Sequence, residues 1–268
     1  MKQLTLSLVV LLCLAGCKKD GSRSTTILLN EVSTDGVLTT RMQYSADNRL
    51  TRYESYGGGV INAYIRAEYD GSGHIIRMGS YTMPGDVPAV KIEFQCDADG
   101  KITTSTNYDL AGPTPNTPVA VTTRSYNAQG ILIKADNKDH NGNLITRQNF
   151  LYFPDGNLKE TQTFKENNSQ LWMSGKSVYA ITNGFYPKGT DQLRAIFGPE
   201  MLANFFSESI QGYTYDQNGG IITQRSQVMS AREYNDDGTL KKQVQTYKSI
   251  KPPQPEVVTN QQFAYVIQ

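Results

Sequence analysis

A seven-residue phrase recurs along this chain and constrains its fold more than any other feature: Tyr, Asp or Asn, two variable residues, Gly, one variable residue, then Leu or Ile. Copies that keep the Tyr, the Gly and the aliphatic residue start at Tyr69 (YDGSGHI), Tyr126 (YNAQGIL), Tyr152 (YFPDGNL), Tyr215 (YDQNGGI) and Tyr234 (YNDDGTL). Chance would supply roughly 0.2 copies in a chain of this composition, so the repetition is internal design. Degenerate copies start at Tyr44, with Asn48 in the Gly place, at Cys96, with Cys for Tyr, and at Lys138, with Lys for Tyr. Their irregular spacing argues against a solenoid of fixed rung length.

Position by position, the phrase reads as a hairpin. Asp or Asn favours the first place of a type I turn, because its side chain accepts from backbone N–H groups further on. Gly four residues after the Tyr takes φ > 0 at no steric cost and closes the turn as a bulged hairpin. Asn48 is a tolerable substitute, since Asn also visits that region. The Tyr before the turn and the Leu or Ile after it then become cross-strand neighbours, worth roughly 0.2–1 kcal/mol. Flanking alternation, as in Ile92-Phe94-Cys96 and Tyr213-Tyr215 with polar residues between, supports strands on both sides. The expected fold is mainly β: an antiparallel meander of repeated hairpins forming a twisted or curled sheet with one face wetter than the other.

These copies resemble YD repeats, relatives of the RHS repeats, and YTYDQNGGI is especially close. The resemblance spans Tyr44 to about Tyr247. With the N-terminus described next, the chain resembles the YD-repeat secreted lipoproteins of Bacteroidetes-type bacteria, a family of unknown function. In long RHS proteins the repeats wind into a shell around a toxin, and this chain has too few copies for such a cage. The resemblance implies an architecture and a location, and it implies no catalytic residue.

Lys2 opens a basic start, and Leu4 to Ala15 run almost wholly apolar. That run is shorter than the ~20 residues needed to span a bilayer and fits a secretory signal. Leu14-Ala15-Gly16-Cys17 resembles the bacterial lipobox, which implies cleavage before Cys17 and acylation of its thiol. Residues 1–16 are therefore read as a lipoprotein signal peptide and 17–26 as a lipidated N-terminus and tether. The remainder, 27–268, is read as a single β domain. One acyl chain holds a protein marginally and two or more hold it stably, at ~0.8 kcal/mol per buried methylene. The expected location is the outer membrane, on either its periplasmic or its cell-surface face. Cys13 leaves with the signal, so Cys96 stands alone and cannot form an internal disulfide. Alternation turns Cys96 to the side of Ile92 and Phe94, as a small buried hydrophobe.

The repeats stop between Thr163 and Gly212. Thr190 reads as an N-cap, with Leu193, Ile196 and Phe197 on one helical side, and Gly198-Pro199 restarts a second turn run carrying Met201, Leu202, Phe205 and Phe206. A helical insert near 190–208 is expected either to cover the sheet's apolar face or to dock a partner. Lys251-Pro252-Pro253-Gln254-Pro255, residues 251–255, reads as a stiff connector, followed by a last strand that can protect an edge.

Chemistry-bearing constellations are few. The formal net charge is +1, which gives no case for a nucleic-acid groove. His74 and His140 fall in turns, away from any nucleophile pattern. Asn137 to Gly142 approaches a calcium loop but has Asn137 at position 1 and Gln148 at position 12, so no metal is expected. Glu54, Glu68, Glu93 and Glu160 lie on expected strands, where ion pairing with Arg or Lys is the default reading and a carboxylate hydrolase the minor one. No cofactor and no catalytic residue is assigned. The leading expectation is a non-enzymatic envelope protein, held to the membrane through its N-terminal lipid, that binds a ligand. Glycan is the preferred class, stacking on Trp172, Tyr186 and the tyrosines of the wet face. The alternative is an interaction subunit of an outer-membrane complex that uses 190–206.

Overall fold

The computed structural model describes residues 26–167, 170–180, 196, 199, 209–218, 220–237, 239–249 and 255–267. These residues build sixteen strands. The first six are β1 (Ile27–Thr34), β2 (Val37–Tyr44), β3 (Leu50–Gly57), β4 (Val60–Tyr69), β5 (Ile75–Thr82) and β6 (Val87–Cys96). Next come β7 (Ile102–Asp109), β8 (Pro118–Tyr126), β9 (Leu132–Asp139), β10 (Leu144–Tyr152) and β11 (Leu158–Asn167). The chain ends with β12 (Gln170–Ala180), β13 (Ser209–Tyr215), β14 (Ile221–Tyr234), β15 (Leu240–Ser249) and β16 (Val257–Ile267).

Each strand pairs antiparallel with the next, and β16 returns to pair with β1, so the sheet is a closed barrel. This overturns the expected open, curled meander, whereas the helical insert expected near 190–208 lies almost wholly outside the described residues. No helix stands among the described elements, and of residues 190–208 only Ile196 and Pro199 are described. The physical reason is that closure does both jobs an open sheet leaves undone. It pairs the edge N–H and C=O groups, and its concave side buries the apolar face without a covering layer. The strand expected after the Pro-rich stretch supplies the closure, with Val32 opposite Phe263 and Gln243 opposite Gln261.

The phrase builds hairpins at the residue pairs expected. Tyr44 faces Leu50, Tyr69 faces Ile75, Cys96 faces Ile102, Tyr126 faces Leu132, Tyr152 faces Leu158, Tyr215 faces Ile221 and Tyr234 faces Leu240. A register shift immediately precedes each pair, which is the expected bulge. In the Tyr69 copy, Asp70 Oδ1 accepts from the amides of Ser72 and His74 at 2.9 and 2.9 Å, and Gly73 sits at φ +89°. Asn48 takes the same role at φ +63°.

Because hairpin turns alternate between the two ends, the copies at Tyr44, Tyr69, Cys96, Tyr126, Tyr152 and Tyr234 share one end, which we call the ring end. Two further pairs complete the ring there. Tyr179 faces Ile210 across the β12–β13 connection, and Tyr265 faces Leu29 where β16 meets β1. The segment that breaks the repeat is thus one turn of it, greatly lengthened. The last pair is a copy cut open by the chain ends. Neighbouring copies also grip one another. Tyr44, Tyr69, Tyr126 and Tyr152 each donate a hydroxyl to the carbonyl of the preceding aliphatic residue, Leu29, Leu50, Ile102 and Leu132, at 2.6–2.8 Å. The Cys96 thiol takes the Tyr place and donates to Ile75 at 3.5 Å.

The two faces differ sharply. Leu29, Val32, Met42, Leu50, Met78 and Phe94 are buried in one inner cluster, and Ala135, Phe150, Leu158 and Tyr179 in another. The outer face carries ladders of opposite charge at successive strands. Arg41 pairs with Glu31, Arg77 with Glu68, Lys91 with Glu93, Arg147 with Asp136 and Lys176 with Glu160.

Candidate functional site

At the ring end the barrel holds a cavity of about 540 Å³. Its wall is built from three successive copies of the phrase, with Ile75, Ile102 and Leu132 as apolar lining. Ile196, buried in the inner cluster, and Pro199 line one side.

Most polar groups around this cavity are already engaged. Tyr69, Tyr126 and Tyr152 spend their hydroxyls on the ring carbonyls. Burial pushes the Tyr69 phenol up to about 12 and raises that of Tyr126 as well. Lys101 Nζ lies 3.1 Å from Asp99, and His74 Nδ1 lies 3.7 Å from Asp70. His74 is thus no free turn residue. Its ring covers Gly100 of the next turn, and Lys101 covers Gly130 of the one after.

Arg124 is different. Its Nη1 donates to Ser105 Oγ at 3.1 Å, and among the described residues no carboxylate lies within ion-pair distance. Burial pulls its pKa below the ordinary arginine value. A guanidinium carries five donors, so most of its capacity is open to the cavity. Sequence reasoning passed over this residue, yet a signal was present. In other copies the inward position two before the ring residue is Met42, Ala67, Phe94, Phe150 or Phe263, and it is Ser177 before Tyr179. Arg124 and Arg232 interrupt that apolar column, and Arg232 is engaged by Gln243 at 2.9 Å.

The residues singled out from sequence do not gather here. Trp172 is half-buried opposite Lys165, toward the other end of the barrel, and Tyr186 lies outside the described residues. So does Cys17. The wet-face tyrosines are committed to in-sheet partners: Tyr64 stacks on Tyr81 at 4.8 Å and carries the Arg52 guanidinium 3.7 Å above its ring. Tyr64 is only 2% exposed as a result. Lys91 covers Tyr108 at 4.0 Å. Glu54, Glu68, Glu93 and Glu160 are held by Arg52, Arg77, Lys91 and Lys176 in ion pairs on this same outer face. Asp139, in the calcium-like stretch, gives its carboxylate to the amides of Asn141 and Asn143 and the Asn143 side chain.

No protein-family profile matches the chain, and no curated protein matches it. Among solved structures it is similar to a porin-like protein from Bacteroides uniformis, with a TM-score of 0.55 and 13% identity over 91% of this chain and 96% of that one. A porin-like protein from Bacteroides vulgatus gives 0.52 and 13%, covering 89% and 99%. At this identity the likeness shows a shared barrel fold. The TcdB2–TccC3–Cdc42 toxin complex aligns at a TM-score of 0.36 over 12% of its chain, which is too distant to carry an argument.

Proposed function

We propose that this chain is a ligand-holding β-barrel of the bacterial envelope, tethered to a membrane by lipid on Cys17 with the barrel standing in water. The observation that carries this reading is the charged outer face. A barrel wall that meets lipid shows an apolar band ~25 Å tall between aromatic girdles, and Arg or Lys at the bilayer midplane costs ~2–4 kcal/mol each. Here Arg41, Arg66, Lys91, Arg147 and Lys176 all lie on the outer face within strands. At the lower figure five such residues cost about 10 kcal/mol, as much as the net stability of a typical domain. Among the described residues the exposed large apolar side chains sit mostly at strand ends, as at Val37, Val60, Val87, Ile221 and Val257, and form no band at mid-height.

The lipobox-like start supports the tether, and the likeness to Bacteroides barrels supports an envelope setting, on either face of the outer membrane. The chain from Lys18 onward, exported behind a signal lacking a lipobox, is expected to stay monodisperse without detergent and to pass no current across a planar bilayer. The intact chain is expected in the membrane fraction with radiolabelled palmitate, and Cys17→Ala loses both. Detergent-dependent solubility together with channel conductance would overturn the reading.

A further inference from the structure

From the cavity's geometry we infer that the ring-end cavity takes an organic anion with an apolar body, its acidic group on Arg124 and its body against Ile75, Ile102, Leu132 and Ile196. This rests on reading the barrel as a ligand holder, and it adds the ligand's chemistry.

Three observations converge. The volume of about 540 Å³ lies in the range that small-molecule sites occupy. The described lining combines Ile75, Ile102, Leu132 and Ile196 with polar side chains that are mostly engaged, the ring hydroxyls on carbonyls and Lys101 on Asp99. Arg124 stands where five other copies place an apolar side chain, and the described residues give it a hydroxyl and no carboxylate. A half-buried guanidinium held in this way keeps part of its desolvation cost, which a bound anion would offset. The fork of N–H donors suits a carboxylate, sulfonate or phosphate oxygen pair. A neutral sugar would leave the Arg124 charge unmatched and meet polar groups that are mostly engaged already, so the cavity favours an amphiphilic acid.

The comparison contrasts arms that share an apolar body. Equilibrium dialysis of the full-length chain in detergent-free buffer, or of the chain from Lys18, is run with labelled dodecanoate and with dodecanol. The wild type should bind dodecanoate at one site and prefer it to dodecanol by about tenfold or more, the scale of a charge-assisted pair. Arg124→Gln, which keeps a donor for Ser105, should weaken dodecanoate about tenfold to a hundredfold and leave dodecanol unchanged, and Arg124→Lys should recover part of the loss. Should Arg124→Gln fail to fold, the acid-over-alcohol preference of the wild type decides alone. Equal binding of acid and alcohol, no binding of the acid, or an unaltered affinity in a folded Arg124→Gln overturns the inference. Each result is independent of whether Cys17 carries lipid, so this proposal and the tether can fail separately.

Discussion

Asn48 and Tyr69 show how much a single position of the phrase contributes. Asn48 holds φ +63°, and its Oδ1 is buried without a partner, so its side chain offers the fold little beyond tolerance of that backbone. Asn48→Gly should therefore match or slightly exceed the wild type in stability. Asn48→Val, a β-branched residue forced into the left-handed region, should lose about 1–2 kcal/mol by urea unfolding. Tyr69 works through its hydroxyl, which reaches Leu50 at 2.8 Å. Tyr69→Phe keeps the ring packing and leaves the carbonyl short of a partner, with an expected loss of about 1 kcal/mol in the same measurement.

At the scale of the element, the turns interlock sideways. The residue after the turn-closing Gly or Asn lies on the Gly of the next copy: Arg49 on Gly73, His74 on Gly100 and Lys101 on Gly130. A Cβ at Gly100 would meet His74 Cδ2 at 2.7 Å, whereas one at Gly142 would meet nothing within 4 Å, although both residues have positive φ. Gly142→Ala should thus show only the backbone cost, about 1 kcal/mol, and Gly100→Ala distinctly more. Adding His74→Ala should recover the excess at Gly100 and leave Gly142→Ala unaffected, a coupling that a double-mutant cycle reads directly. Absence of that coupling would reduce the interlock to incidental proximity.

For the whole molecule, the ring of buried phenols makes stability depend on alkaline pH. Burial raises the pKa of Tyr44, Tyr69, Tyr126 and Tyr265 above the ordinary 10.0, Tyr69 to about 12. In the unfolded chain these groups lose their protons near pH 10, while the barrel keeps them protonated. Their contribution is therefore complete below about pH 10 and is lost as pH rises through about 12. The urea midpoint should hold steady up to about pH 9.5 and then fall, and Tyr69→Phe should flatten that fall. Parallel curves for the two proteins would remove Tyr69 as a source of the slope. The same ring explains why the repeat spacing looks irregular. One pair, Tyr179 with Ile210, is separated by the long connection, and another, Tyr265 with Leu29, joins the two ends of the chain.

The hairpins were legible from sequence because their causes are local: Asp70 accepting from amides two and four residues on, and a Gly or Asn free to take positive φ. Alternation likewise announced the inner face and the side on which Cys96 lies. Closure was not legible, because it is a pairing of Val32 with Phe263 across nearly the whole chain, and no local preference encodes how many strands a twisting sheet joins before meeting itself. The cavity belongs to the same class. Arg124 was visible as an arginine in a largely apolar column, but only the barrel's curvature brings it beside Ile102, Leu132 and Ile196 and takes it partly out of water. Turn chemistry acts over a few residues and can be read in order. Burial is a property of surfaces that meet from distant parts of the chain, so the tertiary structure alone decided which charge would stand in an apolar space.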